Sequence, residues 1–384
     1  MVKTQSDWLL RLRLVPQAVL GILMYCSYTA VPARWLRPNT RRSLRHSNQV
    51  FSALFALLAS VLLVGCGEKI EQFGGPTMGS HYSLKYVAGE GTPEPSALKA
   101  EVDGLLAEVD KQMSTWRSDS DLSEFNRLPA KSCRAMPAAV LELVRAGDAL
   151  SAESNGAFDL TLEPLLDLWG FGPQARGEKV PSAEQIAEVR ARVGHAHLQI
   201  GERRLCKDAA VQVDLNSIAA GYTVDRIAAR LGELGVKSYL LDVTGEVRAA
   251  GHKPDGSPWR IAIEAPRDDH QVAQKVLPLD GLGVSTSGDY RNYFEEDGKR
   301  YSHTLDPQTG APIDHRLASV TVVDPSTLRA DGLSTLLMVL GPERGYAYAE
   351  GKDIAAFFVT RTDQGFATRA TPAFTRRFGE GESP

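Results

Sequence analysis

The sequence lacks the features that identify several large classes of protein. It has four cysteines in 384 residues, and none of them is spaced like the ligands of a zinc or iron–sulfur site. It has no GxGxxG turn opening a helix and no Walker loop, so nucleotide binding by those two routes is not supported. Repeats and low-complexity linkers are also missing. The composition is that of a globular protein, 43% hydrophobic and 23% charged, in a chain long enough for one large domain or two ordinary ones.

The body of the chain also lacks an excess of positive charge. Residues 1–66 carry eight Lys and Arg and one acid, Asp7, so the remainder holds 35 basic and 46 acidic residues. Nucleic-acid binding needs a basic surface to neutralise phosphates. The acidic body therefore argues against nucleic acid as a partner.

The first 66 residues are typical of a lipoprotein leader. A basic stretch, RRSLRHSNQ, precedes sixteen uncharged residues, VFSALFALLASVLLVG, and a polar start follows Cys66. That apolar run is short for a membrane span, which needs about 20 residues. LVGC, Leu63 to Cys66, resembles a bacterial lipobox, which predicts lipidation at Cys66. The alternative is a transmembrane anchor in which the cysteine is incidental.

Residues 1–40 hold a second apolar patch, AVLGILMYCSYTAV, ahead of this signal. They are either a real extension or the result of a start site placed too far upstream. A leader at 1–66 predicts a cell-envelope protein that faces the periplasm and is anchored by lipid to the inner or outer membrane. Only Cys133 and Cys206 remain in the body, and the sequence leaves open whether they pair.

Apolar periodicity predicts an α+β body rather than a regular βαβ series. Strand patterns include the stretch with alternating Tyr82, Leu84 and Tyr86, a hairpin over His197 to Leu215, and later segments such as LASVTVVD. Helical patterns interleave with them. We expect one large domain over 67–370 and a polar tail over 371–384.

One predicted helix, Arg329 to Gly341, is mostly apolar but carries two polar residues on one face. Asp331 and Thr335 lie one turn apart, and Gly341-Pro342 is a usual helix stop. A carboxylate and a hydroxyl side by side offer the oxygen ligands that Mg²⁺ prefers. The plain alternative is a capped or back-bonded polar pair.

Six stretches rich in polar residues, most of them with glycine, occur in order along the chain. They are TMGS, MSTWRSDSDLSEFN, GAFDLTLEPLLDLWGFG, VDLNSIAAGYTVD, the pair TSGDYRNYF and YSHTLDPQTGAPI, and the helix with ADGLST. Each alone fits a turn or a cap. Together they resemble the ApbE family of FAD:protein FMN transferases, over nearly all of residues 72–360. The resemblance implies a single catalytic domain of the ApbE, T-fold-like type.

The resemblance implies ligands for Mg²⁺ and for FAD. In such proteins the residues matching Asp331 and Thr335 bind Mg²⁺ with a main-chain carbonyl, which here would be that of Ser217. Positions that match flavin contacts are Met78, Trp116, Ala157, Phe158, Asp159, Asp214 and Leu305. Met and Trp side chains can pack on a flat ring, and carboxylates can accept hydrogen bonds. For Trp116 the plain alternative is core packing.

The implied reaction is phosphoryl transfer from FAD to a Thr or Ser hydroxyl of an exported protein, with AMP leaving. A hydroxyl is a poor nucleophile without a base, and His303 is the candidate. Its alternative role is to order the turn at Asp306-Pro307. Asp289 is expected to shape the site rather than to react.

Two departures from the family pattern affect the expected site. Ala220 replaces the Lys of the usual AKGY, which removes one cation near the cofactor. Asp242-Val243-Thr244-Gly245 replaces the usual Asn-x-Gly-Gly. Neither change touches the pair of proposed metal ligands.

The sequence leaves three functions open. The first is a flavin transferase acting on exported subunits of membrane redox complexes, of the quinone reductase or Rnf type. The second is an enzyme that hydrolyses FAD to FMN and AMP. The third is a non-catalytic, lipid-anchored FAD-binding protein. Asp331, Thr335 and His303 favour the two enzymes.

Overall fold

The computed structural model describes residues 68–379, except 176, 178, 267–271 and 291. They belong to one compact unit that begins at Cys66. The predicted leader, its extension over 1–40 and the lipidation site Cys66 lie outside the described residues.

An antiparallel sheet of eight strands forms the centre of the fold, in the order β1-β2-β6-β7-β10-β15-β16-β17. Its strands are β1 Lys69–Thr77, β2 Ser80–Ala88, β6 Tyr239–Val243, β7 Glu246–Ala250, β10 Leu282–Gly288, β15 Leu317–Asp324, β16 Ala355–Thr362 and β17 Gly365–Ala370. Each neighbouring pair is antiparallel. The α+β prediction is therefore confirmed.

Smaller sheets complete the strand set. They are β3 Ser132–Ala135 with β5 Arg204–Lys207 and β4 Leu198–Ile200, β8 Trp259–Glu264 with β9 Ala273–Leu279, β11 Tyr293–Glu296 with β12 Lys299–Ser302, and β13 Leu305–Asp306 with β14 Ala311–Pro312. In the first of them Cys133 lies directly opposite Cys206, and the two form a disulfide. The pairing that the sequence left open is thus settled.

The helices are α1 Pro95–Met113, α2 Asp121–Asn126, α3 Ala138–Glu153, α4 Glu163–Trp169, α5 Ala183–Arg190, α6 Ala219–Glu233, α7 Thr327–Gly351 and α8 Pro372–Phe378. α7 is kinked at Gly341, whose backbone angles (φ 79°, ψ −176°) are not helical. The predicted stop at Gly341-Pro342 therefore ends the first segment, and Pro342 begins a second one, since proline suits a helix start.

The alternation predicted around Tyr82 is present, but the stretch is a hairpin rather than one strand. Tyr82, Leu84 and Tyr86 are buried on β2, and the residues between them are exposed. Met78 and Gly79 both have positive φ and form the tight turn between β1 and β2. Two consecutive residues with positive φ give a two-residue hairpin loop the same twist as the strands that it joins.

Both faces of the central sheet are covered. Every residue of β15 up to Val323 is buried, which is typical of a strand with protein on each side. The cluster on one face includes Val320, Val322 and residues of α3 and α7, and the other face packs on β8, β9 and Phe374 of α8. Among the described residues no helix is both long and apolar enough to cross a membrane.

The polar tail predicted over 371–384 needs a correction. Pro372–Phe378 is a helix, and the side chain of Phe374 is fully buried against Phe357 and Phe378. Thr371 caps the helix by accepting from the Phe374 N–H. The prediction failed because the stretch is short, and only contact with β16 reveals its apolar face. Residues 380–384 lie outside the described part of the chain.

Candidate active site

The start of α7 is fixed by α6, and this contact places Asp331. Asp225 of α6 accepts hydrogen bonds from the Thr327 and Leu328 N–H groups (3.0 and 3.1 Å) and from the Ser326 hydroxyl. A carboxylate suits a helix N-terminus because it accepts from N–H groups that lack helical partners. The two helices approach closely at Gly221, where a Cβ would lie 2.4 Å from the Thr327 carbonyl oxygen.

Asp331 and Thr335 lie on successive turns of α7, as predicted. The Asp331 carboxylate is buried, and its Oδ2 accepts from the Gly221 N–H at 2.9 Å. Thr335 is partly exposed, and its Oγ1 lies 3.5 Å from the Ser287 hydroxyl. The alternative of a capped polar pair explains part of this geometry, because the Asp331 carboxylate does accept a hydrogen bond from a backbone N–H. That N–H belongs to α6, however, and not to α7 itself.

Hydroxyls of β10 face the same turn of α7. The Ser334 hydroxyl lies 3.0 Å from that of Ser285 and 2.9 Å from that of Ser287, and it donates to the Asp331 carbonyl. Sequence reasoning missed these serines, because a strand in the middle of a sheet usually has an apolar face. The motif TSG, Thr286 to Gly288, was the signal in the sequence that could have pointed to Ser287.

A second carboxyl, Glu246 of β7, belongs to this cluster and was also missed. Its Oε2 accepts from the Thr244 hydroxyl at 2.9 Å, and its Oε1 lies 3.5 Å from the Ser285 hydroxyl. Burial raises the pKa of Glu246 to about 7. Nothing in the sequence distinguished this glutamate from a solvent-exposed residue after a turn.

The donor set at this point fits a hard divalent cation. Burial raises the pKa of Asp331 well above its usual value, and the charge of Glu246 raises it further, while no cationic side chain among the described residues lowers it. A bound cation would stabilise the ionised carboxylate. The described residues contain no group of three or more His, Cys, Asp or Glu that could hold a metal. A metal here would therefore rely on hydroxyl, carbonyl and substrate oxygens, which is a common arrangement for Mg²⁺.

The loop that carries Asp214 and Ser217 reaches the same helix. Ser217 precedes Ile218, whose side chain packs on α7 at Gly332, next to Asp331; a Cβ at Gly332 would lie 3.1 Å from it. Ala220 is in the first turn of α6, next to Gly221. The metal ligands proposed from sequence thus come from adjoining segments.

Asp214 is almost fully buried. Its Oδ1 accepts from the Asn216 N–H at 2.7 Å, and its own N–H donates to the Leu160 carbonyl at 2.7 Å. Burial raises its pKa. A buried carboxyl with so few charged partners is a reasonable acceptor for a ligand's donors.

Asp159 has a different local role. Its Oδ1 accepts from the Thr161 N–H and hydroxyl, and its Oδ2 accepts from the His195 N–H at 2.9 Å. Both oxygens are engaged within the chain, so the carboxylate orders the backbone here. Flavin contact by Asp159 stays a prediction.

The remaining predicted flavin contacts occupy three surroundings. Ala157 and Phe158 are buried in the cluster under the sheet, and partly buried Met78 packs against its edge. Leu305 is buried in a separate cluster around Trp169 and Phe294. Trp116 is 69% exposed, which rules out the core-packing alternative. An exposed indole is free to meet a ring system.

His303 lies beside the cluster that contains Leu305. Its ring faces Phe171, and its Nδ1 is 3.0 Å from the Asn292 carbonyl oxygen. A carbonyl can only accept, so Nδ1 carries the proton and Nε2 is left as the acceptor in the neutral ring. Burial lowers the pKa of His303 despite the opposing charge of Asp289. These features suit a base, whereas the bond to Asn292 does not involve the turn at Asp306-Pro307, so the turn-ordering role stays a prediction.

Asp289 is held by a two-bond ion pair with Arg361, in which both distances are 2.7 Å. Both residues, with Ser302 next to His303, line an open cavity of about 550 Å³. A carboxylate paired in this way is held in place, and its role in shaping the site stays a prediction.

Comparison with known proteins gives a family match over most of the chain. The ApbE family model matches residues 78–358. A FAD:protein FMN transferase of Vibrio cholerae is 45% identical over 324 residues, which cover 84% of this chain and 97% of that protein. Its counterpart in Haemophilus influenzae is 39% identical over 342 residues, covering 85% and 98%.

Solved structures are similar as well. The apo form of the Pseudomonas stutzeri flavinyl transferase ApbE superimposes with a TM-score of 0.78 at 64% identity, covering 82% of this chain and 98% of that one. The Vibrio cholerae flavin transferase ApbE gives 0.76 at 42% identity, covering 81% and 100%.

Proposed function

The chain belongs to the ApbE family of flavin transferases, and we propose that it is a Mg²⁺-dependent enzyme that transfers FMN from FAD to a Thr or Ser hydroxyl of an exported protein. FAD:protein FMN transfer is the activity named for its relatives in Vibrio cholerae and Haemophilus influenzae. The metal, the hydroxyl acceptor and the release of AMP are the finer parts of the proposal.

One observation carries the metal part: a buried carboxyl and a hydroxyl lie on successive turns, and in the part of the chain that the structure describes no cationic side chain neutralises the carboxyl. Asp331 and Thr335 would bind Mg²⁺ together with the Ser217 carbonyl. Bound there, Mg²⁺ would neutralise charge on the FAD pyrophosphate. The chain's own contribution is to hold these oxygens in place, through Gly221 for Asp331 and through Ser287 for Thr335.

His303 would take the proton in the transfer step. The acceptor oxygen bonds to the phosphorus on the FMN side of FAD, and the bond from that phosphorus to the bridging oxygen breaks. AMP leaves, FMN stays attached as a phosphoester, and the hydroxyl proton moves to Nε2 of His303. The lowered pKa of His303 supports this role because the ring is neutral, and able to accept a proton, at neutral pH.

Flavin contacts are proposed at Met78, Trp116, Ala157, Phe158, Asp159, Asp214 and Leu305, beside Ala220 in place of the family's lysine. The exposure of Trp116 and the burial of the Asp214 carboxyl support two of them. The proposed acceptors are flavoprotein subunits of membrane redox complexes, of the quinone reductase or Rnf type.

We also propose that the protein is lipid-anchored through Cys66 and faces the periplasm. The Cys133–Cys206 disulfide supports an exported domain, because disulfides persist outside the reducing cytoplasm. We expect Cys66→Ala to move the chain from the membrane fraction to the soluble fraction, measured by immunoblotting. Retention of the variant in the membrane would favour a transmembrane anchor.

The test combines the full chain, FAD, Mg²⁺ and an exported acceptor domain from a flavin-carrying redox complex. A denaturing gel is then inspected for flavin fluorescence, with EDTA and Asp331→Asn as controls. We expect a fluorescent acceptor band that both controls abolish.

Two other outcomes would overturn the proposal. Free FMN and AMP without a labelled acceptor would indicate FAD hydrolysis. Bound FAD with no turnover of any kind would indicate a flavin-binding lipoprotein and would point to Ala220.

A further inference from the structure

A buried polar cluster lies behind the loop that carries Asp214 and Ser217, and the proposed reaction does not use it. It consists of Asn126 at the end of α2, Glu163 at the start of α4 and Lys207 at the end of β5. All three are at most 9% exposed. Burying an ammonium and a carboxyl is costly unless each is hydrogen-bonded, so such a cluster needs a reason.

Asn126 supplies the backbone partners that the loop lacks. Residues 208–218 form neither helix nor strand. The Asn126 side chain donates from Nδ2 to the Val213 carbonyl and accepts at Oδ1 from the Val213 N–H, both at 2.8 Å. The amide thus makes the two hydrogen bonds to Val213 that a neighbouring strand would make, immediately before Asp214.

Lys207 ties the same loop to α2. Its Nζ donates to the Val211 carbonyl at 2.9 Å and to the Asn126 carbonyl at 3.0 Å, and it lies over the ring of Phe125. The preceding residue, Cys206, is bound to Cys133. The disulfide therefore fixes the backbone next to Lys207.

Glu163 closes the cluster from the opposite side. Its Oε2 accepts from Asn126 Nδ2 at 2.9 Å. Burial raises its pKa to about 8, with smaller contributions from the charges of Asp214 and Asp167. Near neutral pH a neutral acceptor is sufficient in this position, which makes an isosteric amide a fair substitute.

We propose that Asn126 and Lys207 are positioning residues that hold the 211–218 loop, so that the Asp214 carboxyl and the Ser217 carbonyl stand ready for FAD and the metal. The inference rests on the proposed function, because it assigns ligands to that loop. Holding the loop before binding removes part of the ordering cost that a ligand would otherwise meet.

This arrangement predicts a specific kinetic pattern. His303 has no described bond to the cluster: its ring packs against Phe171, and its Nδ1 bonds to the Asn292 carbonyl rather than to Asn126 or Lys207. Loosening the loop should therefore weaken FAD and metal binding together and leave turnover at saturation nearly unchanged. A loss of overall stability alone would not produce that split.

The experiment compares two variants of the cluster with two controls in the full chain. Lys207→Met keeps the length of the side chain without its charge, and Asn126→Leu keeps the volume without the hydrogen bonds. Glu163→Gln is the matched control, since it still accepts from Asn126. Phe374→Leu destabilises the distant cluster around α8 and controls for loss of stability.

FAD affinity is measured by flavin fluorescence in the presence of Mg²⁺, and Mg²⁺ dependence and kcat by AMP release. We expect Lys207→Met and Asn126→Leu to raise the Kd of FAD and the Mg²⁺ requirement about tenfold or more, with kcat at saturation within about threefold. Glu163→Gln and Phe374→Leu should leave the Kd within about twofold.

An unchanged Kd of FAD in both cluster variants, with a lowered Tm, would overturn the inference and leave a purely structural cluster. If Lys207→Met does not fold, Asn126→Asp decides: it keeps the acceptor for Val213 but removes both donors, and it should weaken FAD binding. If the unaltered chain neither binds nor consumes FAD, the proposed function fails, whereas an unchanged Kd of FAD and an unchanged Mg²⁺ requirement in all variants contradict only the positioning role.

Discussion

Two buried polar clusters lie on either side of the 211–218 loop, and they differ in how their charges are compensated. Around Asn126 and Lys207 the hydrogen-bonding groups meet partners within the chain: both Val213 groups, two carbonyls and Glu163. Around Asp331 two carboxyls share the Ser285 hydroxyl, and no cation in the described ranges lowers the pKa of Asp331. The first arrangement holds backbone in place, and the second leaves two carboxyls whose ionised forms a bound cation would stabilise.

The largest expected effect on activity comes from a substitution in the cluster around Asp331. Asp331→Asn keeps an acceptor for the Gly221 N–H but removes the charge, so we expect Mg²⁺-dependent turnover to fall about 1,000-fold or more with the fold retained. Single-turnover labelling of an acceptor measures the rate, and circular dichroism checks the fold. Turnover within about tenfold of the unaltered chain would remove Asp331 from the metal site.

The next effect concerns the disulfide next to Lys207, beside the cluster around Asn126 and Lys207. The Cys133–Cys206 disulfide closes a loop with a sequence separation of 73. Replacing both cysteines by serine should lower the free energy of unfolding by about 4 kcal/mol in the chain-entropy treatment. Urea unfolding of the oxidised chain and the double variant gives the difference. Equal midpoints would show that the disulfide contributes nothing beyond local contact.

His303→Ala tests a residue outside both clusters. Removing the proposed base should slow transfer about 100-fold while leaving the Kd of FAD within about twofold. Rapid-mixing kinetics and flavin fluorescence separate the two quantities. Equal losses in rate and affinity would instead assign His303 to ordering the turn at Asp306-Pro307.

The smallest effect distinguishes the clusters by their response to pH. The pKa of Glu246 is raised from 4.5 in the unfolded chain to about 7 in the fold, so the fold binds this proton more tightly. Its stability contribution is therefore present below pH 4.5 and is lost as the pH rises through 7. We expect metal-free protein to lose on the order of 2 kcal/mol over that range from this group.

Glu246→Gln should reduce the decrease in stability with rising pH. Glu188→Gln, at an exposed position, should leave that decrease unchanged. Thermal unfolding in EDTA between pH 5 and 8 measures both. A slope unchanged in Glu246→Gln would mean that Glu246 ionises freely in the fold.

Local patterns were enough to predict much of this architecture. The spacing of Asp331 and Thr335 and the alternation at Tyr82 depend only on helix and strand periodicity, and both are present. The ordered motifs carried the family resemblance. Gly341-Pro342 correctly marked a break in α7.

The features that the sequence could not predict depend on contacts between distant residues. Asn126 meets Val213, 87 positions away, and Lys207 meets Asn126, 81 positions away. Glu246 joins Asp331 because β7 and α7 pack against each other and both pack on β10. Phe374 likewise becomes core only through β16. Periodicity carries no information about such pairs, so these residues looked like ordinary surface or turn positions.

The most direct test of metal-dependent flavin transfer counts products in one reaction. Acceptor-bound FMN and released AMP are measured together, by intact mass spectrometry and chromatography, with the unaltered chain, FAD and Mg²⁺. We expect one AMP for each FMN attached, with both products absent in EDTA and in Asp331→Asn. AMP formed without attached FMN, or attachment that persists in EDTA, would contradict metal-dependent flavin transfer.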